Sequence, residues 1–214
     1  MSIRSPNDPP RVRAARKEQT RRRLLGAAHE LLAEQGFTSL SLREVTRHAG
    51  VVPAAFYRHF DNLEALGLAL VQESFANLNG ALRAARAREG ADGLTTATSA
   101  EAVRLLGYAR ENTASFRFVV RERLGGSAAI RAAITRAMER FEGDLALDLA
   151  REPALRAWST EDIRLLASLL VTMMTSAVEQ MVEAEGPAAQ QAIEQRILRQ
   201  LQMLGAGVRG WDGA

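Results

Sequence analysis

Residues 41–60, SLREVTRHAGVVPAAFYRHF, decide the fold that we predict for this chain. They contain two short helical patterns on either side of Gly50. Ser41 followed by Glu44 is a capping box that begins the first helix, and Pro53 suits the first turn of the second. The apolar side chains of each helix fall on one face, so the two helices can pack together. Such a pair is a helix-turn-helix, whose second helix enters the major groove of DNA.

The rest of the chain also follows the helical period, and no run of alternating β-branched residues appears. We therefore predict an all-α protein of about nine helices. Thr98 and Glu101 form a second capping box, which we expect near the start of the fifth helix. The predicted helices cover residues 14–34, 41–50, 53–59, 63–88, 100–110, 114–124, 128–151, 161–185 and 188–208.

Charge divides the chain into a basic head and a mildly acidic body. Residues 1–60 contain 11 Arg or Lys and 5 Asp or Glu, whereas the remainder contains 17 and 20. We predict a disordered basic tail at 1–13, a three-helix helix-turn-helix domain at 14–62 and a helical body at 63–214. A basic head favours an anionic partner such as DNA. The alternative is that these charges are an ordinary solvated face of a helical interaction protein without DNA affinity.

The composition of the chain indicates in which part of the cell the protein works. The chain of 214 residues has no cysteine, which excludes disulfides and thiolate metal sites. Its basic N-terminus is not followed by the apolar run of a signal peptide. The longest uncharged apolar run, 165–178, is shorter than the roughly 20 residues that span a bilayer. We expect a cytoplasmic protein that does not enter a membrane.

Motifs of enzymes and metal sites are incomplete in this sequence. His29-Glu30 begins like a zinc-protease motif, but residue 33 is Ala where the second histidine would stand. Glu44 and His48 are four residues apart on a two-turn helix with no third ligand nearby in sequence. There is no glycine-rich phosphate loop and no nucleophile elbow. We predict no catalytic residue, no metal, no cofactor and no enzymatic activity.

A longer stretch resembles a known family. Residues 20–70 include Thr20-Arg21 near the start of a helix, the Gly36-Phe37 turn, Ser41-Leu42 and the motif Phe56-Tyr57-Arg58-His59-Phe60. This ordered pattern closely resembles the DNA-binding domain of the TetR family of bacterial transcriptional regulators. The resemblance implies a ligand-responsive repressor with a ligand-binding and dimerisation body, which binds a palindromic operator in double-stranded DNA as a homodimer.

The resemblance also implies which residues contact DNA. Thr20, Arg21, Ser41, Tyr57 and His59 would contact phosphates, which set register on the duplex. Arg43 and Arg58 would approach the bases, because an arginine fork matches guanine O6 and N7. Two alanines at 54 and 55 depart from the hydroxyl residues frequent in the family. The full predicted set is Arg16, Lys17, Thr20, Arg21, Ser41, Leu42, Arg43, Pro53, Ala54, Ala55, Tyr57, Arg58 and His59.

A narrower resemblance concerns the effector. Residues 116–134, FRFVVRERLGGSAAIRAAI, together with the FYRHF and LGLALV motifs, are similar to the fatty-acid-responsive subgroup of the family typified by FabR and DesT. That subgroup senses long-chain acyl thioesters, which implies a long-chain acyl-CoA effector and control of unsaturated fatty acid metabolism genes. The implied ligand-binding residues are Leu105, Phe116, Val119, Val120, Arg123, Phe141, Met173 and Met174.

The sequence also allows other roles for these residues and another effector. Any single Met or Phe of that set could equally be ordinary core. Arg117, Arg121 and Arg123 could meet coenzyme A phosphates or instead pair with Glu122 or Glu111. The second candidate function is a repressor of an efflux or catabolic operon that senses another small hydrophobic molecule.

The helix predicted at 161–185 is apolar nearly all round, so it must bury more than one face. It could be the central helix of a monomer, or it could face a cavity on one side and a second subunit on the other. The helix at 188–208, with Ile193, Ile197, Leu201 and Leu204 on one stripe, would be its partner in the interface. We expect a homodimer through these two helices, and hence an inverted-repeat operator.

Overall fold

The computed structural model describes residues 10–86 and 94–212, and within these ranges every regular element is helical. The nine α-helices are α1 Pro10–Glu34, α2 Leu42–His48, α3 Pro53–Phe56, α4 Leu63–Arg86, α5 Leu94–Glu111, α6 Thr113–Gly125, α7 Ala128–Leu149, α8 Thr160–Glu183 and α9 Gly186–Arg209. Short 3-10 turns occur at Phe37–Ser39 and Pro153–Leu155. The predicted all-α fold of about nine helices is confirmed.

The first helix is longer than predicted. Helix α1 begins at Pro10, so residues 10–13, which we assigned to a disordered tail, form its first turn. Proline suits the first position of a helix, and the Arg and Ala residues that follow are strong helix formers. The rest of the predicted tail, residues 1–9, lies outside the described residues.

Two other predicted boundaries are wrong. Helix α5 begins at Leu94, so Thr98 lies inside the helix and cannot cap its start with Glu101. Helix α3 ends at Phe56 rather than at residue 59. Hydrogen-bonded turns continue from there, with the His59 amide donating to the Phe56 carbonyl at 2.8 Å. A capping pattern inside a helix misplaced the start of α5, and hydrogen-bonded turns that extend past Phe56 misplaced the end of α3.

Two hydrophobic cores organise the chain. The core of the head joins α1, α2 and α3 through residues such as Leu24, Val45 and Phe56, and it also contains Phe118 of α6 and Ile130 of α7. The core of the body joins α5, α8 and α9 with the second half of α4. Because α4 contributes to both cores and α6 packs along α1, the head and the cavity-bearing body are mechanically connected.

Helix α8, Thr160–Glu183, is the one described helix that is long and apolar enough to cross a membrane. The central helix of a folded domain has the same composition. Nine residues of α8 are buried inside this chain, including Leu166, Leu170 and Val178. Packing inside this chain therefore accounts for part of its apolar character.

Candidate DNA-binding face and effector cavity

The predicted capping box at the start of α2 is confirmed. The Ser41 Oγ accepts a hydrogen bond from the Glu44 amide at 3.2 Å and donates to the Glu44 Oε2 at 2.6 Å. The Ser41 amide donates to the same carboxylate at 3.0 Å. The side-chain and backbone hydrogen bonds from Ser41 lower the pKa of the Glu44 carboxyl, with a smaller contribution from Arg47. These bonds fix where the first helix of the helix-turn-helix begins.

The turn between α2 and α3 is held against α1. Gly50 has a φ of 62°, in the left-handed region that favours glycine, and a Cβ there would lie 2.8 Å from the Arg23 Nη2. That guanidinium donates to the Gly50 carbonyl at 3.2 Å. His48 at the end of α2 pairs with Glu30 of α1. Arg23 was missing from the predicted site, because its role appears only when α1 packs on the turn.

Eight of the thirteen predicted DNA contacts are exposed on the head. Arg43 of α2, Pro53 and Ala54 of α3, and Tyr57 and Arg58 after it are exposed. Arg16, Lys17 and Ser41 are also exposed, whereas Thr20, Arg21, Leu42, Ala55 and His59 are half-buried. Leu42 packs against the core of the head, so little of it is available to DNA. The role of each residue in DNA binding stays a prediction.

The structure brings cations of α1 next to the recognition segment, which we define as residues 53–60. Burial lowers the pKa of His59, and the nearby charges of Lys17, Arg21 and Arg58 lower it further, against a small opposing effect of Glu18. The Arg21 guanidinium lies over the Phe60 ring, 5.7 Å from its centroid. Residues about 40 positions apart thus form one cationic cluster, which suits a polyanion.

Seven of the eight predicted ligand-binding residues line one internal space, the inner cavity, of about 90 Å³. They are Leu105, Phe116, Val119, Val120, Arg123, Phe141 and Met174, and α4, α7 and α8 add Phe75, Leu78, Met138, Val171, Thr175 and Val178. Met173 is not among the lining residues. It packs against the core of the body instead, since successive residues of a helix point about 100° apart.

A larger space of about 420 Å³, the charged vestibule, adjoins the inner cavity. The two share Leu105, Phe141, Val171 and Met174. The lining of the vestibule includes Glu101, Arg104, Asp148, Arg151 and Glu152 of α5, α7 and the segment after α7. Sequence reasoning missed these residues because no local pattern tells which charges of separate helices will meet. The combined space is apolar inside and charged on one side.

Two arginines of α6 do not have the partners that we considered from sequence. Arg117 donates through Nε and Nη2 to the Val182 carbonyl, at 3.1 and 2.9 Å, and Arg123 pairs with Glu179. Both contacts are to the second half of α8. Arg117 and Arg123 therefore hold α6 against α8, and neither is paired with Glu122.

Glu122 connects α6 to the head. Its side chain is buried, and its Oε1 accepts a hydrogen bond from the Phe37 amide at 3.2 Å. Its Oε2 is buried and has no hydrogen-bond partner among the described residues. The rings of Phe37 and Phe118 lie 5.9 Å apart beside this bond. One helix thus lines the inner cavity with Val119 and Arg123 and contacts the turn that precedes α2.

A helix-turn-helix head with a cationic cluster, joined to a helical body that contains a cavity, defines the class of ligand-responsive DNA-binding regulators. Family models agree with this assignment. Residues 24–70 match the model of bacterial regulatory proteins of the tetR family, and residues 94–204 match that of the tetracyclin repressor-like C-terminal domain. The chain belongs to the TetR family, as its sequence predicted, and members of this family are transcriptional regulators rather than enzymes.

Solved structures share the fold over most of the chain. GusR of Salmonella enterica has a TM-score of 0.69 and 21% identity, covering 90% of this chain and 96% of its own. A TetR-family regulator of Syntrophomonas wolfei has a TM-score of 0.75 at 14% identity, covering 88% and 96%. FadR of Bacillus subtilis, solved in complex with stearoyl-CoA, has a TM-score of 0.71 at 15% identity, covering 84% and 96%. At these identities the likeness concerns the fold alone.

Proposed function

We propose that this protein is a cytoplasmic repressor that binds an inverted-repeat operator as a homodimer and releases or engages it in response to a long-chain fatty acyl-CoA. The observation that carries the proposal is that the inner cavity and the charged vestibule adjoin and share four lining residues, in a body joined to a helix-turn-helix head. Together the two spaces match an amphipathic molecule with an apolar chain and a charged end. The regulated genes would then belong to fatty acid metabolism.

The DNA-binding half of the proposal depends on separate roles for two arginines. Arg43→Ala is expected to relax sequence choice, because a bidentate base contact discriminates by about 1 to 3 kcal/mol. Arg21→Ala is expected to weaken operator and random DNA alike and to reduce the salt dependence by about one unit, since Arg21 belongs to the cationic cluster. Gel-shift titrations of both variants at several salt concentrations test these roles. Equal losses on operator and random DNA for Arg43→Ala would remove it from base reading.

Homodimerisation is supported by an apolar surface on α8 and α9. Leu165 and Leu169 of α8 are each 58% exposed, and Met203 of α9 is 69% exposed. The stripe that we predicted on α9 is not on this surface. Ile193, Ile197 and Leu201 are instead buried in the core of their own chain. The interface that we propose therefore uses the opposite face of α9 from the one predicted.

The effector half of the proposal is supported by the chemistry of the cavity wall. Met138 and Met174 are unbranched and flexible, so the wall can adapt to straight or bent acyl chains. Arg104 and Arg151 lie in the vestibule together with Glu101, Asp148 and Glu152, and Arg151 pairs with Asp148 at 2.7 Å. Arg104 and Arg151 are the groups that would meet the charged end of the effector. The structural neighbour FadR was solved with stearoyl-CoA, which supports the idea that this fold can hold an acyl chain.

Thermal denaturation with stearoyl-CoA tests the effector. A ligand present at about 100 times its Kd stabilises the native state by about 2.7 kcal/mol, so the melting temperature should rise. Val120→Phe is expected to abolish this rise by filling the inner cavity, whereas Leu124→Phe, on the exposed side of the same helix, should retain it. If other hydrophobic molecules stabilise the protein and stearoyl-CoA does not, the result supports the second candidate function, a repressor of an efflux or catabolic operon that senses another small hydrophobic molecule.

The effect of a bound ligand would reach the DNA-binding head through α4 and α6. Helix α4 lines the cavity with Phe75 and Leu78 and contributes Leu66 and Leu70 to the core of the head. A ligand that shifts α4 or α6 changes how the two heads of a dimer are spaced on DNA. A tenfold effect on operator affinity requires a differential binding energy of only about 1.4 kcal/mol.

A further inference from the structure

A small polar space lies beside the inner cavity, between α4, α5 and α6. Its volume is about 60 Å³, and it shares four apolar lining residues with the inner cavity. The rest of its lining is polar and uncharged. We call this space the polar bay and define it by Ser74, Asn77, Tyr108, Asn112 and Ser115.

Part of the bay is satisfied within the protein. The Asn112 Nδ2 donates to the Tyr108 carbonyl at 2.9 Å, and the Ser115 Oγ lies 3.4 Å from the His29 Nδ1. The Tyr108 ring packs edge-on against Phe116, with 6.0 Å between centroids. Burial raises the pKa of the Tyr108 phenol, a group that is protonated at neutral pH even without this shift.

Ser74 is different. Its Oγ is buried and has no hydrogen-bond partner in the part of the chain that the structure describes. Hydroxyls within helices commonly bond to the carbonyl four residues earlier, as Thr46 does with Leu42 and Thr175 with Val171. Ser74 makes no such bond, and buried polar atoms without partners are rare and unfavourable. Its position in the bay indicates a partner that comes from outside the chain.

We propose that the polar bay is a subsite for a neutral oxygen group, a hydroxyl or a carbonyl, on the end of the effector that lies away from the charged vestibule. This inference rests on the proposed acyl sensing. A carboxylate or phosphate does not fit, because no cation lines the bay to offset its lost hydration. At about 60 Å³ the bay has room for a group the size of a hydroxyl or a carbonyl oxygen.

The proposed subsite would restrict the effector to acyl thioesters that have an oxygen group at the far end of the chain. A plain acyl chain would place a methyl group in the bay and leave the buried Ser74 hydroxyl unpaired. A chain with a terminal hydroxyl would give it a partner, with Tyr108 beside it in the lining. Sites that hydrogen-bond a buried hydroxyl reject analogues that lack it more strongly than apolar pockets distinguish one methylene.

Matched acyl-CoA pairs test the proposal. Isothermal titration of the full chain would compare hexadecanoyl-CoA with 16-hydroxyhexadecanoyl-CoA, and the same pair with twelve-carbon chains. We expect the hydroxylated member of at least one pair to bind about tenfold more tightly. The double variant Ser74→Ala, Tyr108→Phe should weaken only the hydroxylated ligand and bring the pair to equal affinity. The control Ser39→Ala, an exposed serine outside the cavities, should keep the preference.

The binding results distinguish failure of the polar bay as a subsite from failure of the proposed acyl sensing. Binding of both members with equal affinity would overturn the subsite and leave acyl sensing in place. A preference that survives Ser74→Ala, Tyr108→Phe would also overturn the subsite, because the hydroxyl would be recognised elsewhere. No binding of any of the four thioesters would overturn acyl sensing and the subsite together.

Discussion

Replacing Leu165 and Leu169 together by glutamate is expected to give a folded monomer that binds the operator at least about 100-fold more weakly. Both leucines are more than half exposed and lie one turn apart on α8, so neither supports the core of its own chain. A two-fold interface places the same patch of both subunits in contact, so the substitution introduces four carboxylates into it. A monomer then reads a single half-site, which contains too few base pairs for tight specific binding.

Sedimentation measures the oligomeric state of this variant, gel shift on an inverted repeat measures affinity, and circular dichroism verifies the helical fold. The matched control is Leu124→Glu, Leu147→Glu, which changes two leucines that are at least as exposed, on α6 and α7. The control should stay dimeric with unchanged operator affinity. A dimer of full affinity in the α8 variant would exclude this face as the interface.

Glu122→Leu is expected to reduce the effect of stearoyl-CoA on operator affinity by about tenfold, a coupling energy of about 1.4 kcal/mol. The substitution removes the acceptor of the Phe37 amide and so disconnects α6 from the turn before α2. Stability should change little, because the cost of leaving the Phe37 amide unpaired is offset by removing the buried carboxylate. A buried carboxylate with one unpartnered oxygen is costly, and apolar replacements of buried charges are often neutral or stabilising.

Glu122→Gln is the matched control, because its side-chain carbonyl can still accept the bond from Phe37. Three measurements distinguish coupling from stability: operator Kd with and without stearoyl-CoA, hydrogen exchange of the Phe37 amide, and urea unfolding. The leucine variant should lose protection at Phe37 and lose the response while keeping its unfolding free energy. A leucine variant that responds like the wild type would show that the signal takes another route, such as α4.

Local patterns predicted the head well because its structure depends on neighbours in sequence. The capping box of Ser41 and Glu44, the turn at Gly50 and the proline at 53 act within a few residues, so their effect can be read from the chain. The inner cavity was also largely foreseen, through the resemblance to a subgroup of the family. Helix ends were less predictable, as the early start of α5 at Leu94 shows.

By itself, the sequence determined the all-helical fold, the helix-turn-helix and the family, since helical periodicity, caps and ordered motifs are local properties. Only the tertiary structure decided which neighbour each apolar face meets. Periodicity marked a stripe on α9 that contains Ile197, but packing buried that stripe and left Met203 outside. The partner of Glu122 is 85 residues away in sequence, and the polar bay combines three helices. Such long-range contacts depend on how whole helices pack, which no short pattern encodes.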